Sequence, residues 1–225
     1  MATRARRPER REEPLSRERI VEAAIAILDT AGESGLTFRA LAERLATGPG
    51  AIYWHVSGKD ELLGAATEAV VSRVMPVGTA DTTPQDAIRT LALGVFDAID
   101  AHPWIGTQRG RTPGHSPMLR VFEHLGRQVQ ALGVPHADQF SAVSALQHYI
   151  LGVGGQNAAN AREHRPDMDR TEFLSTTAAV WADLDPEEYA FTRTVAAELR
   201  DHDDRTEFLA GIDLIVAGIT ARFGG

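Results

Sequence analysis

The chain has 225 residues, 43% hydrophobic and 24% charged, with no cysteine and a formal net charge of -8. Length and composition suit one or two ordinary globular domains, and the lack of cysteine excludes a disulfide framework, a thiolate zinc site and a cysteine nucleophile. The apolar run Ala23–Leu28 is far short of the roughly 20 residues a membrane span needs, and no apolar stretch follows the Arg-rich start as a secretory signal requires.

A soluble cytoplasmic protein with no membrane partner is therefore expected. Net charge conceals its distribution. Residues 1–63 hold 10 basic and 10 acidic side chains, and the remaining 13 and 21 account for the whole excess. The first 20 residues alone carry 7 Arg against 4 Glu. A polyanion is expected to meet the N-terminal end, with the acidic remainder turned away.

Residues 1–14 have no apolar periodicity and read as a disordered Arg-rich arm. From there apolar residues recur at intervals of three and four, the helical signature. Ser16 can cap a first helix with Ile20, Val21, Ala24, Ile27, Leu28 and Ala31 on one side, stopped by Gly32 and Gly35. Thr37 caps a short second helix that buries Phe38, Leu41, Ala42 and Leu45. Ala46–Gly48 make a tight turn, and Pro49 suits the first position of a third helix reaching Tyr53 to His55. Ser57 is expected to cap a fourth, with Asp60 and Glu61 in the turn where the helix dipole favours acids. Its stripe is Leu62, Leu63, Ala66, Val70 and Val74.

The polar loop 77–83 marks the expected boundary between a domain at 15–76 and a second at 77–225. The second domain reads as helices throughout. Ile88, Leu91, Val95 and Ile99 define one, and Met118 to Leu132 another. A long helix at about 137–161 carries Phe140, Val143, Leu146, Ile150 and Val153. Shorter helices carry Phe173, Trp181, Tyr189 and Leu199. A last one, at about 204–222, carries Phe208, Ile212, Ile215, Val216 and Ile219. No strand alternation or repeat is evident, so the fold class is all-α.

Two short helices joined by a three-residue turn and buttressed by a longer one form a helix-turn-helix arrangement, whose second helix enters the major groove. Tyr53, Trp54 and His55 are consecutive, so they cannot all face inward. An exposed aromatic tip followed by Lys59 needs something to meet. Phosphate oxygens and base edges fit, because all four side chains can donate to them.

The stretch Leu36–Leu63 (LTFRALAERLATGPGAIYWHVSGKDELL) resembles the DNA-binding domain of the TetR family of bacterial transcriptional regulators. Its string Tyr53-Trp54-His55-Val56 points to the tetracycline-repressor subclass. The closing helix, Phe208 to Ile219, resembles the last helix of that subclass. The resemblance implies a regulator, most simply a repressor, that binds a palindromic double-stranded operator as a homodimer and is released by a small organic effector.

Residue by residue, Arg39 matches a guanine-reading arginine, the commonest specific major-groove pairing. Thr37 matches a cap close to a phosphate, and Lys59 a phosphate contact. Tyr53, Trp54 and His55 match contacts to backbone and base edges. Pro49, Gly50 and Ala51 replace hydrogen-bonding residues at the front of the recognition helix, where Ala51 can still meet a thymine methyl. These substitutions alter the operator that can be read.

The resemblance also implies an effector pocket in the second domain, for which Phe96, Trp104, Met118, Phe122, Gln147, Leu151, Asn157 and Trp181 are candidates. The histidines that hold magnesium–tetracycline in the subclass fall at Met75 and Trp104 here, so no metal and no cofactor is expected. The dimer interface is expected on the long and last helices, at Phe140, Ile150, Gly154, Phe208, Ile212, Ile215 and Ile219. Gly152, Gly154, Gly155, Gly211 and Gly218 would permit close helix approach.

A metal site at Glu163, His164 and Asp167 is outweighed by a solvated loop, and Asp201-His202-Asp203-Asp204 by a helix start. No Gly-x-Ser-x-Gly elbow or His-Glu-x-x-His motif is present, so the chain is not expected to be an enzyme. The alternative is a helical adaptor or small-molecule-binding protein that does not touch DNA.

Overall fold

The structure, a computed structural model, describes residues 14–75, 82–107, 117–163 and 169–223. The expected arm up to residue 13 and the Glu163, His164 and Asp167 side chains lie outside the described residues. All regular structure among the described residues is helical. The chain forms two compact units, Met1–Ala66 and Thr67–Gly225, a division that falls inside a helix.

In the first unit, α1 (Arg17–Gly35) starts where the Ser16 hydroxyl accepts from the Arg19 N–H at 3.3 Å. Gly32, at φ 63°, breaks the regular helix with a backbone that L side chains avoid. Ala31, expected on the buried side, is exposed just before that break. α2 (Phe38–Arg44) begins at Thr37, whose hydroxyl accepts from Ala40 N–H at 3.1 Å. Ala46, at φ 51°, then turns the chain into α3 (Pro49–Tyr53), which has proline in its first turn.

α4 (Lys59–Val74) begins one residue later than a cap at Ser57 would place it. The Leu62 N–H reaches Gly58 O, so Gly58 holds the capping position. Ser57 instead donates both its N–H and its hydroxyl to the Glu61 carboxylate, each at 2.7 Å. Ile20, Ala24, Leu28, Leu36, Leu41, Ile52, Val56 and Leu62 form the core of this unit.

The second unit holds the rest of α4 together with α5 (Pro84–Ala101), a 3-10 turn (Ile105–Thr107), α6 (Met118–Ala131), α7 (His136–Glu163), α8 (Arg170–Ala182) and α9 (Ala190–Val195). A second 3-10 turn (Glu198–Asp201) and α10 (Asp204–Phe223) complete it. α5, α6, α7 and α10 pack together. Their core includes Leu91, Val95, Phe96 and Ile99 with Val121, Leu125, Leu146, Ile150, Phe208 and Ile212. Gly133, at φ 80°, closes the α6–α7 connection. Arg89 and Arg205 tie α10 to α5 through Asp213 at 2.5 Å and Asp97 at 3.0 Å.

Gly154, Gly155 and Gly211 approach other elements of the same chain. A methyl on Gly154 would lie 2.8 Å from Ile99 Cδ1, and one on Gly106 would lie 3.2 Å from Gly155 Cα. At Gly211 a methyl would sit 1.9 Å from the Tyr149 hydroxyl. Gly152 and Gly218 face open space.

Several residues expected at a dimer interface on α7 and α10 are taken up inside the chain. Ile150, Phe208 and Ile212 are fully buried within the chain, Gly154 and Ile219 are also buried, and Ile215 is half-buried. Phe208 is held between Phe96, centroid 4.5 Å away, and Tyr149 at 5.6 Å. Phe140 remains 71% exposed. The surface that α10 leaves open is Ala210, Leu214, Ala217, Gly218 and Ala221, with Leu214 76% exposed.

Candidate nucleic-acid interface

The first unit presents its polar and aromatic groups around α3. This five-residue helix rests on a single fully buried side chain, Ile52, and is otherwise turned outward. Pro49 and Gly50 are exposed, and Ala51 is half-buried. Trp54, which ends the helix, is 90% exposed, while the adjacent Val56 is 2% exposed and anchors the chain behind it. A tryptophan in that position carries a large apolar face and an N–H donor with little of either used by the fold.

Tyr53 is 57% exposed and lies flat on Phe38, the first residue of α2, with centroids 4.3 Å apart and planes within 5°. Its hydroxyl is thereby aimed by a contact between the two helices. Phe38 was expected only as a core residue. Its role in holding Tyr53 needed the pairing of α2 with α3, which sequence spacing does not display.

Thr37 and Arg39 are exposed at the start of α2. No described residue pairs with the Arg39 guanidinium, so its planar fork is available for a bidentate contact. His55 is half-buried behind the tip. Lys59 is half-buried, and its ammonium donates to the Glu33 carbonyl beyond the Gly32 break. It thus begins α4 while holding the end of α1.

An ionic cluster stands beside this surface. Arg17 Nη2 lies 2.9 Å from Glu61 Oε1. The Ser57 N–H, the Ser57 hydroxyl and then Arg17 hold the Glu61 carboxyl down at about 2. Hydrogen bonds to the ionised form are the dominant cause. The first turn of α4 is therefore fastened both to the tip loop and to the start of α1.

The proposed effector-contacting residues occupy several places in the second unit. Phe96 and Trp104 are buried, and Phe96 is committed to the stack with Phe208. Gln147 Nε2 donates to Met118 O at 3.0 Å, which brings those two together. Phe122 meets Phe140, centroids 5.9 Å apart. Leu151 and Asn157 are half-buried on α7, and Trp181 is half-buried on α8. α8 packs on α9 and on the Glu198–Asp201 turn.

Among the described residues no group of three His, Asp or Glu side chains is arranged to hold a metal. Near residue 202 the acids serve helix ends. Asp203 accepts from Thr206 N–H at 2.7 Å, and Asp204 pairs with Arg170 at 2.8 Å and with His202 at 3.0 Å. No helix among the described residues is long and apolar enough to cross a membrane.

Comparison with known proteins covers nearly the whole chain. Residues 20–66 match the bacterial regulatory proteins of the tetR family, and residues 77–223 match the tetracyclin repressor-like C-terminal domain. The transcriptional regulator SCO7222, a TetR from Streptomyces coelicolor, is 60% identical and superposes with a TM-score of 0.85 over 93% of this chain and 100% of that one. An HTH-type transcriptional regulator of Saccharopolyspora erythraea is 30% identical over 97% of this chain and 91% of its own length. Mycobacterium smegmatis BioQ is 28% identical with a TM-score of 0.65, over 92% and 99% of the two chains. BioQ with its natural double-stranded DNA operator is 26% identical with a TM-score of 0.62, over the same shares. With a helix-turn-helix in the first unit and a family match across both, the chain belongs to the TetR family of bacterial transcriptional regulators.

Proposed function

We propose that this chain is a transcriptional repressor that grips a palindromic double-stranded operator as a homodimer and releases it when a small organic effector binds the second unit. The observation that carries this reading is the 90% exposed Trp54 beside the stacked Tyr53, on a short helix flanked by Thr37, Arg39 and Lys59. The operator complex of BioQ supports it. The role is regulatory, not enzymatic, and belongs in the cytoplasm, where the DNA is.

Arg39 reads a guanine, while Thr37, Tyr53, Trp54, His55 and Lys59 position the helix on phosphates and base edges. Pro49, Gly50 and Ala51 bring the backbone of α3 close to the groove floor. A two-fold dimer matches two half-sites. Pairing runs through Leu214 and the small residues around it on α10, with Phe140 and Ile215 at its margin.

The effector pocket draws on Phe96, Trp104, Met118, Phe122, Gln147, Leu151, Asn157 and Trp181. In the second unit Arg120 of α6 bonds Glu68 at 2.9 Å and Ser72 at 3.1 Å, both on α4. A shift of α6 on effector binding is thus passed to α4, the helix that begins at Lys59. A 100-fold loss of operator affinity requires about 2.7 kcal/mol of coupling.

Duplexes selected from a randomised pool, titrated by fluorescence anisotropy at two salt concentrations, test the reading. The expected result is a palindromic consensus and an affinity that falls steeply with salt. Replacing Arg39 by Ala should cost about 1–3 kcal/mol and relax one position in each half-site. A pool that yields no enriched sequence would refute DNA recognition.

A further inference from the structure

We propose that Glu61 is a positioning residue for operator recognition, which holds the Trp54 tip in one geometry and so sets sequence discrimination at a cost in general attraction to DNA. This rests on the reading of the chain as an operator-binding protein. Trp54 is 90% exposed and cannot fix its own place through packing. The backbone around it must do so. On one side the Ile52 carbonyl accepts from the His55 and Val56 N–H groups at 2.9 and 3.2 Å, and the Ile52 and Val56 side chains are buried. On the other side the chain passes through Ser57 into α4.

Gly58 caps α4 without a side chain, so nothing at that position can hold the turn as a serine or aspartate would. Glu61 supplies the hold from inside the helix. Its Oε2 accepts from the Ser57 N–H and from the Ser57 hydroxyl, each at 2.7 Å, and its Oε1 accepts from Arg17 Nη2 at 2.9 Å. A carboxylate reaching back to an N–H ahead of its helix is one half of a capping box, and here it also takes in the start of α1. One side chain therefore joins the tip loop, α4 and α1. The same bonds keep the carboxyl far below the usual carboxylate range, so the group is ionised throughout the neutral range.

A fixed anion bonded to the tip loop repels phosphate, and it occupies Arg17, a cation that could otherwise meet one. Simple attraction to DNA does not call for an acid there. A purely structural part would scale binding to every duplex by the same factor. Positioning gives a third pattern, in which loss of Glu61 strengthens binding to arbitrary sequence and weakens it on the operator.

The test compares the full-length wild type with E61A, S57A and the double variant, on a duplex selected by the wild type and on an unselected duplex of equal length. Anisotropy titrations at two salt concentrations give both affinities, and thermal melts show that each variant is folded at the titration temperature. For E61A the expected result is unselected binding about twofold to fivefold tighter, with a salt slope steeper by about one unit, and selected binding at least about fivefold weaker. S57A should lower discrimination by a smaller factor, and in the E61A background it should change nothing, because its partner is gone. Equal changes on the two duplexes, or no change, overturn the positioning role. So does an S57A effect of the same size in both backgrounds. Failure of the wild type to enrich any sequence would instead overturn operator binding itself, and the positioning role with it.

Discussion

Phe38 and Tyr53 lie face to face at 4.3 Å, so the first residue of α2 forms the seat for the last residue of α3. The two short helices are held in register by a ring pair at their outer edge and by Leu41 and Ile52 in the core beneath. An offset aromatic pair contributes about 0.5–1.5 kcal/mol beyond the area it buries. The orientation of the tip is thus set before DNA arrives, which lowers the ordering cost of binding.

Trp54 separates binding from folding. At 90% exposure it contributes little to the core, and Trp54→Ala should change stability by less than about 0.5 kcal/mol. The same change should weaken binding to a selected duplex tenfold or more. Thermal melts and anisotropy titrations on the one variant check both halves. Unaltered duplex affinity would remove Trp54 from the interface.

Lys59 is expected to act on DNA without regard to sequence. Its ammonium, held on the Glu33 carbonyl, is poised to exchange that partner for a phosphate. Lys59→Ala should weaken binding to selected and unselected duplexes in equal proportion and reduce the salt slope by about one unit. A loss confined to selected sequences would mean that it reads a base.

Glu61 makes the first unit sensitive to acid. Its carboxyl is held at about 2 by the Ser57 N–H, the Ser57 hydroxyl and Arg17. A depressed folded-state value contributes stability that is complete above the ordinary carboxylate value of 4.5 and is lost as pH falls toward 2. Glu61→Gln should therefore be less stable than the wild type at pH 7, and the gap in urea midpoint should narrow steadily below about pH 4.5. The pair with Arg17 is half-exposed, so the effect is modest and shrinks in high salt. A gap independent of pH would assign the loss to packing.

Gly211 has no room for a side chain. An added methyl meets the Tyr149 hydroxyl at 1.9 Å and the ring carbon Cζ at 2.3 Å, and that ring is stacked on Phe208 and bonded to the Phe208 carbonyl at 3.3 Å. Gly211→Ala should cost about 1–3 kcal/mol by overpacking. Combined with Tyr149→Leu, the two losses should be less than additive. Strict additivity in chemical denaturation would show that the ring is not the obstacle.

The caps and stripes were legible because they are local. Ser16, Thr37 and Pro49 stand where their chemistry demands, and α5, α6 and α10 run close to the expected bounds. Trp54 was legible as outward-facing because three consecutive large residues cannot share one face. The misread positions came from side-chain partners that spacing alone does not display. Phe208 and Ile212 read as surplus apolar surface on α10, but Phe96 and Tyr149 consume the former inside the chain. Phe140, expected at the interface between chains, is 71% exposed within one chain. Ser57 read as a cap, but Glu61 is the stronger acceptor and reverses the direction of the bond.

Leu214 is 76% exposed in a setting of alanines and glycine, and the proposed pairing through it would make the integrity of the protein a matter of dilution. A partner that covers this leucine binds only folded chains, so the melting temperature should climb with protomer concentration. A cell making few copies would then hold a less durable protein as well as a less occupied operator.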